Sequence, residues 1–340
     1  MPRNTTNYVI SGTLSFRLGS RKVLRKWGTN LQNIEKSMRR LYVPDPGKVF
    51  VQVDQSGAEA LIVAYLCRAG NFRDLFIHGV KPHVFVGLHN FKEQWKEYYA
   101  ATGLDTVPNI DELCSLPIVL LKKHRDFKEA DRLIRSSDNW PSEKRYYYIA
   151  KMICHASNYG MRASAFQLNV LEKSKGKIAL TKKEAENYLT TYHSLFPEIH
   201  EWHREVERQL NETQILYNLF GYPRQFFYPS TNPPENLLKE AYAFVPQSTV
   251  GCITHIATIK MYEYISSNKL AWDLLANTHD SYLLQCPIGD EVNCATKAQE
   301  FLNQELMSSR GEKFRMKSEA QWGYNWAPQS SKNPDGLREF

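Results

Sequence analysis

The sequence predicts an α+β protein: a strand-built core interrupted by a long, largely helical middle. Three observations predict it. The run VFVQV at 49–53 is β-branched and aromatic, as a strand requires, and it ends at Asp54. The segment 274–286 holds two short apolar runs around a turn at His279 and Asp280. Between these segments the pattern changes to helical periods, with helix starts and stops.

In chain order, the opening to Lys26 is polar and basic, more loop than core. A helix follows the first strand over 58–69. The charged segment 92–140 predicts helices over 92–101 and 122–137. Pro141 and Glu143 mark a helix start, and that helix runs over 143–158 and stops at Gly160. Thr181 and Glu184 form a capping box. Pro197 opens a long helix to 212, Gly221-Tyr222-Pro223 is a turn, and 226–228 reads as a short strand. A helix spans 235–266 with an interruption near Pro246. The tail after Trp326 is polar and predicted to fray.

Composition narrows the classes. With 42% hydrophobic residues the chain can build a sizeable core, so global disorder is excluded. A net charge of +7 suits a polyanionic partner. The six cysteines contain no C-x-x-C pair and lie mostly in apolar runs, as reduced buried thiols of a cytoplasmic protein do. No apolar leader precedes Ser11, and no stretch approaches ~18 uninterrupted apolar residues, so no membrane association is expected.

Two constellations carry chemistry. Asp54 and Asp280 each sit at the edge of an apolar strand, and two such carboxylates can share hard, oxygen-ligated cations such as Mg²⁺. Each aspartate taken alone is far more often an ordinary surface turn. Lys151, His155 and Tyr159 follow one another at i, i+4 and i+8 and share a helix face. A cation and two rings there fit a triphosphate, a base and a sugar, with Lys144 and Arg145 extending the phosphate site. Spacing alone favours a plain solvated face.

Six blocks resemble family A DNA polymerases. The segment VFVQVDQSGAEALIVAYLC (49–67) resembles motif A, with Asp54, Ser56 and Glu59 in register. KMICHASNYG (151–160) is similar to motif B, and THDSYLLQC (278–286) to motif C. TLSFRLGS (13–20) followed by NLQNI (30–34), GYPR (221–224) and FVPQST (244–249) resemble three further blocks, in the family's order.

The resemblance implies a right-hand architecture: an antiparallel palm sheet with largely helical fingers and without most of the thumb. It divides the chain into a first palm part (1–83), fingers (84–200, with an insertion near 92–140) and a second palm part (201–340). It implies template-directed addition of deoxynucleotides to a primer 3′-hydroxyl, with two Mg²⁺ ions as cofactors and dNTPs and primer–template DNA as partners. Asp54 and Asp280 become metal ligands, joined by the Gln55 carbonyl. Glu59 becomes the gate against a ribose 2′-hydroxyl. Lys151 and His83 (in GVKPH) meet the triphosphate, His155 joins the nucleotide site, and Tyr159 stacks near the sugar and template. Arg17 and Gln247 meet minor-groove acceptors at the primer terminus, which His279 supports.

Departures from the family pattern are specific. Ser281 replaces the usual motif C Glu. Tyr147 replaces the motif B Arg four residues before Lys151, with Arg145 as substitute. Leu61 replaces an Arg in motif A, and His155 occupies an aromatic position, as in phage-like members. The first primer-contacting block begins at Thr13, which implies a chain without a thumb or a proofreading exonuclease: either a cut or split polymerase, or one whose missing part a separate thumb- or exonuclease-bearing chain supplies. Grip on the duplex then rests on Arg17, Lys239, Gln247 and the basic excess. The location implied is the cytoplasm of a bacterium or phage-infected host. Two alternatives stand beside this reading. One is a single-subunit RNA polymerase-like enzyme, which Glu59 disfavours. The other is a non-catalytic nucleic-acid-binding polymerase subunit, which the joint presence of Asp54, Lys151, Tyr159 and Asp280 disfavours.

Overall fold

The computed structural model describes residues 4–9, 13, 15–22, 28–101, 108–137, 145–229 and 232–340. Leu14 of the first block, the expected helix start at 140–143 and Lys144 lie outside them.

The described elements begin with two short strands, β1 (Asn7–Val9) and β2 (Gly19–Arg21), and two 3₁₀ turns (Leu31–Asn33 and Lys36–Leu41). Then come β3 (Lys48–Gln55), α1 (Ala58–Leu66), α2 (Asn71–Ile77), α3 (Pro82–Asn90) and α4 (Lys92–Ala101). The helical middle continues with α5 (Ile110–Ser115), α6 (Ile118–Leu121), α7 (Phe127–Ser136), α8 (Tyr146–Asn158), α9 (Ala163–Lys173), α10 (Lys182–Leu195) and α11 (Pro197–Thr213). A ribbon of β4 (Ile215–Tyr217) and β5 (Pro223–Gln225) precedes the long helix α12 (Glu235–Ser267). The chain closes with β6 (Asp273–Asn277), β7 (Ser281–Pro287), α13 (Glu291–Leu302), β8 (Glu305–Met307), β9 (Lys313–Arg315), β10 (Ser318–Gly323) and β11 (Arg338–Glu339). The α+β class predicted from the sequence is the class observed.

The chain divides into two compact units. The first comprises 1–62, 217–224 and 243–340, and is built on a five-stranded antiparallel sheet of order β11-β10-β3-β7-β6. Side chains alternate across β3 because successive residues of a strand point to opposite faces. Val49, Val51 and Val53 are fully buried on the face that packs on α13. On the other face Phe50 joins Leu31, Leu283, Trp326 and Leu337 in one cluster. Strand β7, between β3 and β6, is buried on both faces.

The second unit comprises 63–216 and 225–242 and is helical around α3, which packs on α7, α8 and α10. At Gly87 a Cβ would meet that of Ala150 on α8 at 3.5 Å, an ordinary packing contact. Fully buried Phe72, Phe91, Trp95, Tyr192 and Phe196 fill the interior, each worth about 1.5–3 kcal/mol of burial. The capping box predicted at Thr181 and Glu184 is present.

Five expectations are corrected. Residues 226–228 form no strand; the pairing shifts upstream to β5, and Phe226 donates its N–H to the Gln214 carbonyl instead (2.8 Å). The helix expected over 122–137 starts only at Phe127, because the chain turns after α6. The interruption near Pro246 is absent: α12 is continuous through the proline. The tail is held rather than frayed, since Leu337 is buried, β11 pairs with β10, and Arg338 lies 3.9 Å over the Trp322 ring. The opening, read as loop, contains the β1–β2 pair.

Candidate active site

In the first unit, β3 and β7 bring the two predicted carboxylates together. Asp54 is registered opposite Ser281, and the Gln55 N–H donates to the Asp280 carbonyl (3.1 Å). Asp280 therefore occupies the turn immediately before β7, beside the end of β3. That turn is tight. His279 takes a left-handed conformation (φ 69°), costly for a non-glycine residue, and its N–H donates to the Asn277 Oδ1 (3.3 Å). The Asp280 N–H donates to the Thr278 carbonyl (2.9 Å) and the Thr278 N–H to the Ser281 carbonyl (2.8 Å).

The base of the turn is fixed from the N-terminal strands. The Tyr8 hydroxyl donates to the Asn277 carbonyl (3.0 Å) and accepts from its N–H (2.7 Å). Gln32, in the NLQNI block, donates to the carbonyls of Leu18 (2.9 Å) and Asn277 (3.3 Å). That block thus ties the first motif to the motif C turn.

The electrostatics follow from this packing. Burial, then the neighbouring Asp280, pushes the Asp54 carboxyl up to about 7; a hydrogen bond from Ser281 opposes the rise, Glu319 adds to it, and Arg39 opposes it. Asp280 is raised by burial, with its own backbone N–H and Arg17 working against the rise. Two carboxyls that suppress each other's ionisation form a donor set suited to a hard divalent cation, which would relieve the repulsion. The Gln55 side chain is anchored by donating to the Thr254 hydroxyl (2.7 Å). Among the described residues, no group of three or more His, Cys, Asp or Glu side chains is arranged to hold a metal.

Arg17 and Glu59 form an ion pair in the same unit. Both act electrostatically on Asp280 and His279: the imidazole pKa is lowered by burial and by Arg17, against Glu59. Six predicted residues, Arg17, Asp54, Gln55, Glu59, His279 and Asp280, are therefore brought together. Gln247, half-buried on α12, is not tied to them by a described hydrogen bond.

In the second unit, α8 carries the predicted stripe. Ile149, Met152, Ile153 and Ala156 are buried, which leaves Lys151 and His155 exposed on the remaining surface. Tyr159, just past the helix, is buried and meets His155 edge-on (4.9 Å). The Lys151 ammonium lies 4.0 Å over the Tyr147 ring. His83, from α3, meets the same ring at 6.3 Å, and burial followed by Lys151, Lys81 and His155 lowers its pKa to about 4, so the imidazole is neutral at physiological pH. Gly160 ends the motif with φ 65° and with the Tyr242 ring 2.8 Å from where a Cβ would stand.

Arg145 is exposed at the N-cap of α8. Lys239 belongs to a different group: Glu235 holds both it (2.7 Å) and Arg162 (3.2 Å).

Sequence reasoning missed Glu319 and Arg39. Glu319 is registered with Asp54 on the other side of β3, but β10 (SEAQWG) lacks the apolar alternation that announces a strand. Arg39 lies over the Trp326 ring (4.6 Å) and within the field of Asp54; no local pattern links it to a residue so far along the chain.

The fold, with an antiparallel sheet bearing paired aspartates in one unit and helices in the other, is similar to that of a solved polymerase domain. It resembles the POL domain of Pol1 from M. smegmatis, solved in complex with DNA primer-template and dNTP: the TM-score is 0.63 at 19% identity, over 94% of this chain and 47% of that one. Sequence relatives include DNA polymerase I A, chloroplastic/mitochondrial, of Arabidopsis thaliana (24% identical, 76% of this chain, 23% of the relative). DNA polymerase I of Caldicellulosiruptor bescii is 21% identical over 94% of this chain and 32% of its own length. DNA polymerase I of Borreliella burgdorferi is 22% identical over 77% of this chain and 24% of its own. The chain thus spans about a quarter to a third of the length of these curated relatives. Residues 127–328, more than half of the chain, match DNA polymerase family A, and the chain belongs to that family.

Proposed function

We propose that this chain is the polymerising part of a DNA-directed DNA polymerase that joins deoxynucleotides to a primer 3′-hydroxyl on a DNA template. The observation that carries the proposal is the pairing of Asp54 and Asp280 at adjacent strand ends in a family A polymerase chain. Asp54, Asp280 and the Gln55 carbonyl are the residues that would hold Mg²⁺ ions. Bound there, the ions would supply charge neutralisation for an attacking oxygen and a leaving pyrophosphate.

The chain's own side chains have separable tasks. The Lys151 ammonium offsets triphosphate charge, and neutral His83 can donate one N–H to a phosphate oxygen without adding charge. Arg145, exposed at the start of α8, extends that phosphate site. His155 and Tyr159, in mutual edge contact, give base and sugar a firm wall. Glu59, fixed by its ion pair with Arg17, occupies the space a ribose 2′-hydroxyl would need. Arg17, Lys239, Gln247 and His279 face primer–template DNA. The reaction forms a bond between the 3′-oxygen and the α-phosphorus and breaks the α–β phosphoanhydride.

Primer extension with the full chain, dNTPs or rNTPs, and Mg²⁺ tests the proposal. Extension with dNTPs is expected, and Asp54→Ala and Asp280→Ala should each lower it by about 100-fold or more while the circular dichroism spectrum is retained. A wild-type chain that binds DNA without extending it would favour the non-catalytic reading, to which Ser281 in place of a third acidic side chain lends support.

A further inference from the structure

We infer that Tyr147 is a positioning residue that aims the Lys151 ammonium at the triphosphate. The inference rests on the proposed role of Lys151. Tyr147 stands four residues before Lys151, one turn earlier on α8. The Tyr147 ring is nearly buried, at 9% exposure, whereas Lys151 one helical turn later is exposed. Its ammonium sits over the ring at 4.0 Å, well inside the range in which the negative face of an aromatic ring attracts a cation.

The contact matters because of what a lysine is. Four rotatable bonds let an exposed ammonium sample many positions, and a ligand that needs one of them must order the others. A ring locked in the helix packing restricts that search before the nucleotide arrives. The same ring is fixed from the side by His83, whose imidazole meets it at 6.3 Å with planes 76° apart. Tyr147 therefore joins the two groups assigned to the triphosphate, one on α3 and one on α8. Tyr147, itself uncharged, works through Lys151.

The test is a double-mutant cycle on the full chain, with KM for dNTP and kcat measured separately in primer extension and dNTP affinity measured by titration. Tyr147→Leu is expected to raise KM about two- to fivefold, the range that an exposed cation–ring contact supports. Tyr147→Phe keeps the ring and should stay near the parental value. In a Lys151→Met background Tyr147→Leu should add nothing. Should Tyr147→Leu fail to fold, a series of fluorinated phenylalanines at position 147 replaces it: fluorine drains the ring face without changing its shape, and KM should climb with each fluorine. A flat fluorine series, or full additivity of Tyr147→Leu with Lys151→Met, overturns the inference. No change of KM in Lys151→Met alone overturns the triphosphate role of Lys151 itself, a separate failure.

Discussion

Asp54 carries the sharpest consequence at the scale of single residues. Its carboxyl titrates near 7 when folded, against 3.8 in an unperturbed chain, because burial and Asp280 both oppose its charge. Between those two values the folded state holds more protons than the unfolded one, so stability falls as pH rises through the window. Without divalent cations, Tm should therefore decline from pH 4 to 7, and Asp54→Asn, neutral throughout, should lack that part of the decline. Parallel Tm profiles for the two proteins would remove the coupling. Glu59 yields a second expectation. Truncation to Ala opens the space at the sugar, so the rNTP/dNTP ratio of kcat/KM should rise by about 10-fold or more, as the loss of a steric contact of ~1–3 kcal/mol allows. A ratio that does not move would assign Glu59 only to holding Arg17.

At the scale of elements, the end of α8 depends on a glycine. Gly160 has φ 65°, and the Tyr242 ring that crowds it is itself pinned, stacked on His203 at 4.0 Å with its hydroxyl donating to Glu207 (2.5 Å). His203 in turn shares a hydrogen bond with the Asn158 carbonyl (2.8 Å), so ring, imidazole and helix end form one packed group. Gly160→Ala should cost about 1–3 kcal/mol in urea unfolding, from both the strained backbone and the displaced ring. A change under about 0.5 kcal/mol would mean that the group relaxes freely. Thr181→Ala removes the capping box of α10 and should cost ~1 kcal/mol, a useful reference for the same assay.

For the whole molecule, a net charge of +7 predicts DNA affinity that weakens with salt. Each lost phosphate contact shallows the slope of log K against log salt by about 0.9. Lys239→Ala should show that change in fluorescence anisotropy on a labelled primer–template, although Glu235 competes for the same ammonium. Glu235→Gln should then strengthen binding. An unchanged slope in Lys239→Ala would take Lys239 out of the DNA interface. No described helix is long and apolar enough to cross a membrane.

What the sequence determined by itself is what neighbours in the chain decide. Strand β3 was legible because valines alternate along it until Asp54, and the face of α8 was legible because its buried positions recur at helical spacing. The α10 cap was legible because its two partners are three residues apart. Tertiary structure alone decided which strands are paired and what stands beside each carboxylate. Glu319 lies level with Asp54 only through the register of β10 on β3, and Trp326 and Leu337 turn a polar tail into part of the core. Tyr147 was legible only as a departure; its place beneath Lys151 follows from rotamers chosen in the packed helix. Local periodicity fixes which face a side chain occupies, but its neighbour across the sheet is set by contacts hundreds of residues apart, and no window of sequence contains both.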